Sequence, residues 1–219
     1  VLFRSALEVT PEFLEDTIVW LRRNRNDLVS LDEARSRLVN RRFDRRFVAI
    51  TLDDGYRDNN VWARPIFTKH DVPYTIYIPT EFAEGRGNLW WTALEEMVAR
   101  NDRLEADDRL IMCGSLREKF QAYALLKQII IDLPERAAEM AFLARLAARH
   151  RYDAMAMARE ACMNWDEIRD LATDRFAAVE AHTLSHPLLA KLTHDACRAE
   201  LVQSRAILQD KLQREVRHL

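Results

Sequence analysis

The sequence is poor in glycine, with four residues in 219, where average usage of about 7% would give roughly fifteen. A chain so short of glycine has few cheap places for left-handed backbone and must be rich in helix. Gly55, Gly85, Gly87 and Gly114 therefore mark positions where backbone freedom is needed. Cysteine is scarce as well: Cys113, Cys162 and Cys197 are scattered, which makes neither a disulfide framework nor a zinc ribbon. They read as three core thiols. No apolar run approaches the roughly 20 residues of a membrane-spanning helix, so no membrane span is expected. Charge of one sign is also missing: 33 Lys+Arg stand against 35 Asp+Glu, a formal net charge of -2. No field over the whole chain favours nucleic acid or anionic lipid.

What remains is the composition of a globular chain able to bury a core, 48% hydrophobic and 31% charged. It starts at Val1 without Met or a charged-then-apolar leader, and residues 1–8 read as a non-native or linker segment. That start says nothing about compartment: localisation is unknown, with the cytoplasm as a guess and the cell envelope as the alternative if a leader preceded Val1. The sequence carries no signal for oligomeric state.

Thr10-Pro11 opens a helix expected to end near residues 24–26, because Thr caps and Pro suits the first helical position. A short extended piece at 28–31 and a helix capped by Ser30 or Asp32 through about Val39 follow. Arg46-Phe-Val-Ala-Ile-Thr-Leu52 is apolar and β-branched, the pattern of a strand buried on both faces. A helix over about 60–70 and a second buried strand over 72–78 complete a strand-helix-strand unit with parallel strands. From about 89 to 160 the period changes to 3.6, as in Leu116-Phe120-Tyr123-Ala124-Lys127-Ile130-Ile131, and a helical insertion is expected. A short helix at 164–171, a third strand at 176–181 and an amphipathic helix from Asp195 to about Gln213 close the pattern.

Two predicted strand ends concentrate the chemistry: Thr51-Leu52-Asp53-Asp54-Gly55-Tyr56-Arg57-Asp58-Asn59 and His182-Thr183-Leu184-Ser185-His186-Pro187. Sites in parallel α/β folds collect at the carboxyl ends of strands. Adjacent carboxylates there point different ways and can take different roles, while Gly55 lets the backbone turn. An ordinary Asp-Gly turn with solvated acids is the bland alternative. His182 and His186 are four apart, which lets both imidazoles reach one ion, and Pro187 disfavours helical backbone at His186 and so puts the pair in a loop. Two unrelated histidines are the bland alternative here. Together the segments offer carboxylate and imidazole ligands suited to Zn²⁺ or another divalent transition ion.

The two motifs resemble those of the polysaccharide deacetylase family, the NodB-homology carbohydrate esterases. Val9-Thr-Pro-Glu-Phe, Thr75-Ile-Tyr-Ile-Pro and Asn164-Trp-Asp-Glu-Ile agree with that resemblance, which runs from about Val9 to Leu219. It implies an α/β fold, a distorted β/α barrel, here incomplete and carrying a helical insertion between the second and third confident strands. It also implies a metal-dependent hydrolase that removes N-acetyl groups from an amino-sugar polysaccharide or oligosaccharide by a metal-activated water. By position, Asp53 matches the general base, and Asp54, His182 and His186 match the metal ligands. Tyr56, Arg57 and Asp58 follow closely enough to line the pocket, with Arg57 as an orienting group for Asp53. The cofactor implied is Zn²⁺, with Co²⁺ or another transition ion as alternatives, and the partner is an N-acetylated glycan rather than nucleic acid. A non-catalytic glycan-binding or interaction module of the same fold, and a metal-dependent hydrolase of another amide or ester, are the alternatives.

Departures shape the expectations. Leu52 stands where relatives usually carry Phe, and Glu180 stands where they often carry Gly, and the latter is read as a surface residue pointing away. The family's later motifs, an oxyanion segment and a general-acid histidine, are expected beyond Leu219. The chain is thus read as a truncated fragment of feeble or no activity on its own. Its organisation is expected to be 9–88 and 161–219 as the two parts of the deacetylase domain, around the insertion 89–160. Trp90-Trp91 are read as core in preference to a sugar-stacking pair, and residues 41–46 as a solvated turn.

Overall fold

The structure is a computed structural model that describes residues 8–219, so the segment 1–8 lies, except for Glu8, outside the described residues. In chain order the elements are α1 (Pro11–Arg23), β1 (Asp27–Leu28), α2 (Leu31–Val39), β2 (Phe47–Val48), β3 (Ile50–Leu52), a π-helical turn (Asn59–Ala63), α3 (Arg64–Lys69), β4 (Tyr74–Ile78) and α4 (Thr80–Ala83). Then come α5 (Trp90–Arg100), β5 (Arg103–Ala106), β6 (Arg109–Met112), α6 (Leu116–Asp132), α7 (Arg136–His150) and α8 (Ala154–Ala161). The last are α9 (Trp165–Leu171), β7 (Ala177–Ala181) and α10 (His194–Leu212). None of the described helices is long and apolar enough to cross a membrane.

The caps fall where the sequence places them. Thr10 accepts from the Phe13 amide and Pro11 opens α1, while Ser30 accepts from the Glu33 amide to open α2. Asn164 opens α9 through a capping box with Glu167, and Thr193 opens α10.

The central sheet is parallel throughout, in the order β3-β4-β7, with Leu52 opposite Ile76 and Ile76 opposite Val179. β1 pairs in parallel with β2 just upstream. No closed sheet forms among the described residues, so the fold is α/β with small parallel sheets. The strand expected over 46–52 is divided into β2 and β3. It is half-buried instead of covered on both faces, with Thr51 exposed, because β3 is an edge of the three-stranded sheet. β4 is the strand that fits the buried-on-both-faces pattern, with Tyr74, Ile76 and Ile78 almost inaccessible.

The two larger of three apolar clusters make up most of the described interior, the third being Phe82, Leu89, Ala158 and Cys162 beside Trp91. One joins the sheet to α1, α3, α9 and α10 through Ile18, Phe67, Ile76, Ile168 and Leu208. The other lies within the segment after Leu89 and contains Leu94, Leu104, Leu126, Ile130 and Leu146. That segment is not wholly helical as expected: β5 and β6 form an antiparallel hairpin with Leu104 opposite Ile111. Asp107 turns the hairpin at φ 50, a backbone conformation that Asp tolerates better than most residues. Of the three thiols read as core, Cys113 and Cys162 are buried and Cys197 is half-buried on α10. Residues 41–46 are exposed, as expected of a solvated turn.

Candidate functional site

Both motif loops leave the carboxyl ends of parallel strands, the acidic loop after β3 and the histidine loop after β7, on either side of β4. The His182 amide donates to the Ile78 carbonyl at 3.1 Å, which seats the second loop over the end of β4. In the first loop Asp54 and Gly55 both take positive φ, 66 and 62. Gly55 is favoured by its conformation, and a Cβ there would stand 2.6 Å from Ile78 Cδ1, so that side chain would have to move. Its carbonyl accepts from the Met163 amide at 3.0 Å, tying the loop to the chain before α9.

Asp54, His182 and His186 converge, with one ligand atom from each within 4.8 Å of the others. Asp54 Oδ1 stands 3.2 Å from His186 Nε2 and 3.6 Å from His182 Nε2. It is buried with no hydrogen-bond partner, an arrangement that costs free energy unless something else satisfies it. Donor atoms about 2 Å from a tetrahedral ion are separated by about 3.3 Å, so this orphaned carboxylate oxygen and its two imidazole neighbours fit a divalent cation. Burial pushes the His182 imidazole below its ordinary range, the Asp54 carboxylate acting in the opposite sense and His186 adding to the drop. Lowered basicity favours the neutral form, the form that ligates. Asp53 is exposed beside this cluster, and its charge reaches both His182 and Tyr77.

Aromatic rings enclose the imidazoles. Trp91 lies 4.9 Å from His186 between ring centroids, Phe82 5.8 Å from His186, and Tyr77 6.0 Å from His182. Trp91, expected to be core, is half-buried against the site, and its Nε1 donates to the Tyr56 hydroxyl at 2.9 Å. Trp90 packs on the cluster inside the 89–157 segment instead. Cys162 is near, but burial pushes its thiol up to about 12, so it offers no thiolate at neutral pH.

Two expectations are corrected. Arg57 does not orient Asp53; its Nε donates to Glu167 Oε1 at 2.7 Å, and its other nitrogens donate to the carbonyls of Arg159, Glu160 and Cys162. A guanidinium with five donors is spent most fully on such a cluster of acceptors, and here it ties the acidic loop to the start of α9. Glu180 is not a surface residue: it is 6% exposed, and its Oε2 accepts from the amides of Arg217 and His218 at 2.8 Å each. It turns toward the chain beside β7, away from any imidazole nitrogen. Of the other suggested pocket residues, Tyr56 reaches the site through Trp91, and Asp58 is exposed.

Sequence reasoning missed Tyr77 and Phe82, which look like ordinary core residues in their own segments. It also missed Glu200 on α10, whose carboxylate holds the histidine loop from 15 and 16 residues away. Nothing local in a charged helix singles it out.

The comparisons with known proteins follow the same lines. Residues 138–219 match the family model described as polysaccharide deacetylase, a stretch that includes the histidine motif and leaves the acidic one outside. No curated protein sequence matches the chain. Among solved structures, the deacetylase PplD of Streptococcus pyogenes, in complex with acetate, aligns with a TM-score of 0.54 and 16% identity over 96% of this chain and 61% of its own. IcaB from Ammonifex degensii aligns with a TM-score of 0.52 and 14% identity over 95% of this chain and 64% of its own. The chain thus spans a little over three fifths of the length of these two proteins, and at such identity the likeness is one of fold. In sequence over residues 138–219 this chain is similar to the polysaccharide deacetylase family, which its two motifs resemble, and in fold over nearly all of its length it is similar to PplD and IcaB.

Proposed function

We propose that the protein is a metal-dependent deacetylase that hydrolyses the N-acetyl groups of an amino-sugar polysaccharide or oligosaccharide. The observation that carries this reading is the convergence of Asp54, His182 and His186 at adjacent strand ends, with a buried and unpartnered carboxylate oxygen among them and an exposed Asp53 beside them. In this reading Asp54, His182 and His186 hold a divalent ion, Zn²⁺ by its ligand set with Co²⁺ as a substitute. When bound, such an ion supplies Lewis-acid polarisation of the acetyl carbonyl and acidifies a water.

The chain's own residues do the rest. Asp53, free of the ligand cluster and open to solvent, accepts the proton that the attacking water gives up as its oxygen adds to the acetyl carbon. The C–N bond then breaks as the nitrogen takes up the proton held by Asp53, leaving acetate and the sugar amine. Tyr77, Phe82 and Trp91 keep the imidazoles dry on their inner side, which strengthens the local field on any charge that develops there.

Two measurements test the reading. Zn²⁺ or Co²⁺ should bind one to one, and Asp54→Ala and His186→Ala should each weaken binding by at least about 100-fold, about 2.7 kcal/mol. Metal retained by both variants would remove the ligand assignment. Acetate released from N-acetylglucosamine oligomers, and lost in Asp53→Asn with metal still bound, would support the base assignment. Glycan binding without any acetate would instead support the non-catalytic module of the same fold.

A further inference from the structure

The histidine loop is strained. Thr183 at φ 65 and His186 at φ 55 both sit in the left-handed region, which is rare for any non-glycine residue and rarer for a β-branched one. Such backbone persists only where the surroundings over-determine it. Here the surroundings are identifiable: the amides of Thr80 and Glu81 donate to the Thr183 and Leu184 carbonyls at 3.4 and 2.9 Å, and side chains do the rest. Thr183 Oγ1 accepts from the His186 amide at 3.0 Å. From α10, Glu200 Oε2 accepts from the amides of Leu184 and Ser185 at 2.9 Å each, and Glu200 Oε1 accepts from the Ser185 hydroxyl at 2.6 Å. The Ser185 oxygen in turn accepts from the Arg136 guanidinium at 2.7 Å, and Arg136 opens α7 in the segment after Leu89.

We infer that Glu200 is the positioning residue of the metal loop. Its carboxylate fixes the backbone between His182 and His186, and Arg136 extends the hold into the 89–160 segment through Ser185. Glu200 touches neither imidazole. It acts by satisfying two amides that the left-handed turns expose, both on the same oxygen, so the loop closes in one geometry instead of several. A carboxylate accepting from two backbone N–H groups and a hydroxyl is held by short, charge-assisted bonds, which suits a part that must not move. Residues that orient ligands in this way typically change metal affinity by about 10- to 100-fold when removed.

The inference rests on the metal-site reading, so its test carries a readout that does not need metal. Amide hydrogen exchange of residues 183–186 is measured in metal-free protein, and Co²⁺ affinity and the Co²⁺ visible spectrum are measured beside it. Glu200→Ala should speed exchange of the Leu184 and Ser185 amides at least about tenfold and weaken Co²⁺ by about tenfold, with a broadened spectrum. Glu200→Gln keeps an acceptor for the two amides and should recover most of both effects. Arg136→Ala should weaken Co²⁺ a few-fold and leave the Leu184 amide protected. Unchanged exchange in folded Glu200→Ala overturns the inference, as does Co²⁺ affinity equal to that of the wild-type chain. If the wild-type chain binds no Co²⁺ while Glu200→Ala still frees the two amides, the metal reading fails and the hold of Glu200 on the loop stands.

Discussion

The two loops of the site reach left-handed backbone by opposite routes. The acidic loop pairs a left-handed Asp54 with a glycine: Gly55 takes positive φ without a Cβ and lies close against Ile78, and the Arg57 guanidinium locks the loop to Glu167 and three carbonyls. The histidine loop has no glycine. It turns at Thr183 and His186, and side chains hold it, Thr183 from within and Glu200 from α10. A glycine-poor chain thus bends cheaply in one place and by remote support in the other, and the two loops should fail differently.

Removing a ligand, Asp54 or His186, should have the largest effect and should leave both loops in place. Next in size is Gly55→Ala. The added Cβ meets Ile78 in an unfavourable backbone region, so a loss of about 2 kcal/mol is expected from the shift of the urea midpoint at constant slope. A midpoint within error of the parent would mean the acidic loop is softer than its geometry says. Thr183→Val keeps the shape of the second loop and deletes the acceptor for the His186 amide. It should cost about 1 kcal/mol in the same measurement, with loss of Co²⁺ affinity beyond what stability explains.

The Arg57–Glu167 lock gives the acidic loop a pH signature. The Arg57 hydrogen bond holds the Glu167 carboxyl below its ordinary 4.5. Between those two values the unfolded chain binds more protons than the folded one, so stability rises with pH. The contribution is complete above 4.5 and is lost as pH falls through the folded value. Glu167→Gln should flatten that part of the acid limb in a series of thermal melts, and an unaltered limb would assign the acid sensitivity elsewhere. The smallest effect is expected from Trp91→Phe, which keeps a ring against His186 and deletes the donor to Tyr56. About 0.5–1 kcal/mol should be lost, with Co²⁺ affinity near that of the parent.

How much of this was legible depends on how far each residue's partners lie along the chain. Caps at Thr10 and Asn164 are local and were read correctly, as was β4 from its apolar run, and Ser30 is one of the two residues read as the cap of α2. Gly55 announced itself by rarity. The hairpin at 103–112 was hidden because its charged faces, with Arg103, Glu105 and Arg109 exposed, mimic a helical segment's polarity. Arg57 and Glu180 were misassigned for one reason: their partners lie about 100 and 37 residues away, and a one-dimensional neighbourhood favours the nearest acid or the nearest solvent. The convergence of Asp54 with His182 and His186 was legible from their place at two predicted strand ends and from the resemblance, not from their separation along the chain. The spacing of 128 residues has no physical meaning until the parallel sheet sets their strands side by side.

Glu180 has one more consequence, for strand register. β7 is an edge of the described sheet, and beside it the amides of Arg217 and His218 both find the Glu180 carboxylate, while the Ala181 amide reaches the His218 carbonyl at 3.4 Å. A backbone ladder alone would accept the neighbouring segment one residue out of step, which turns every side chain to the wrong face. Glu180 therefore ties the chain after α10 to the strand that delivers His182.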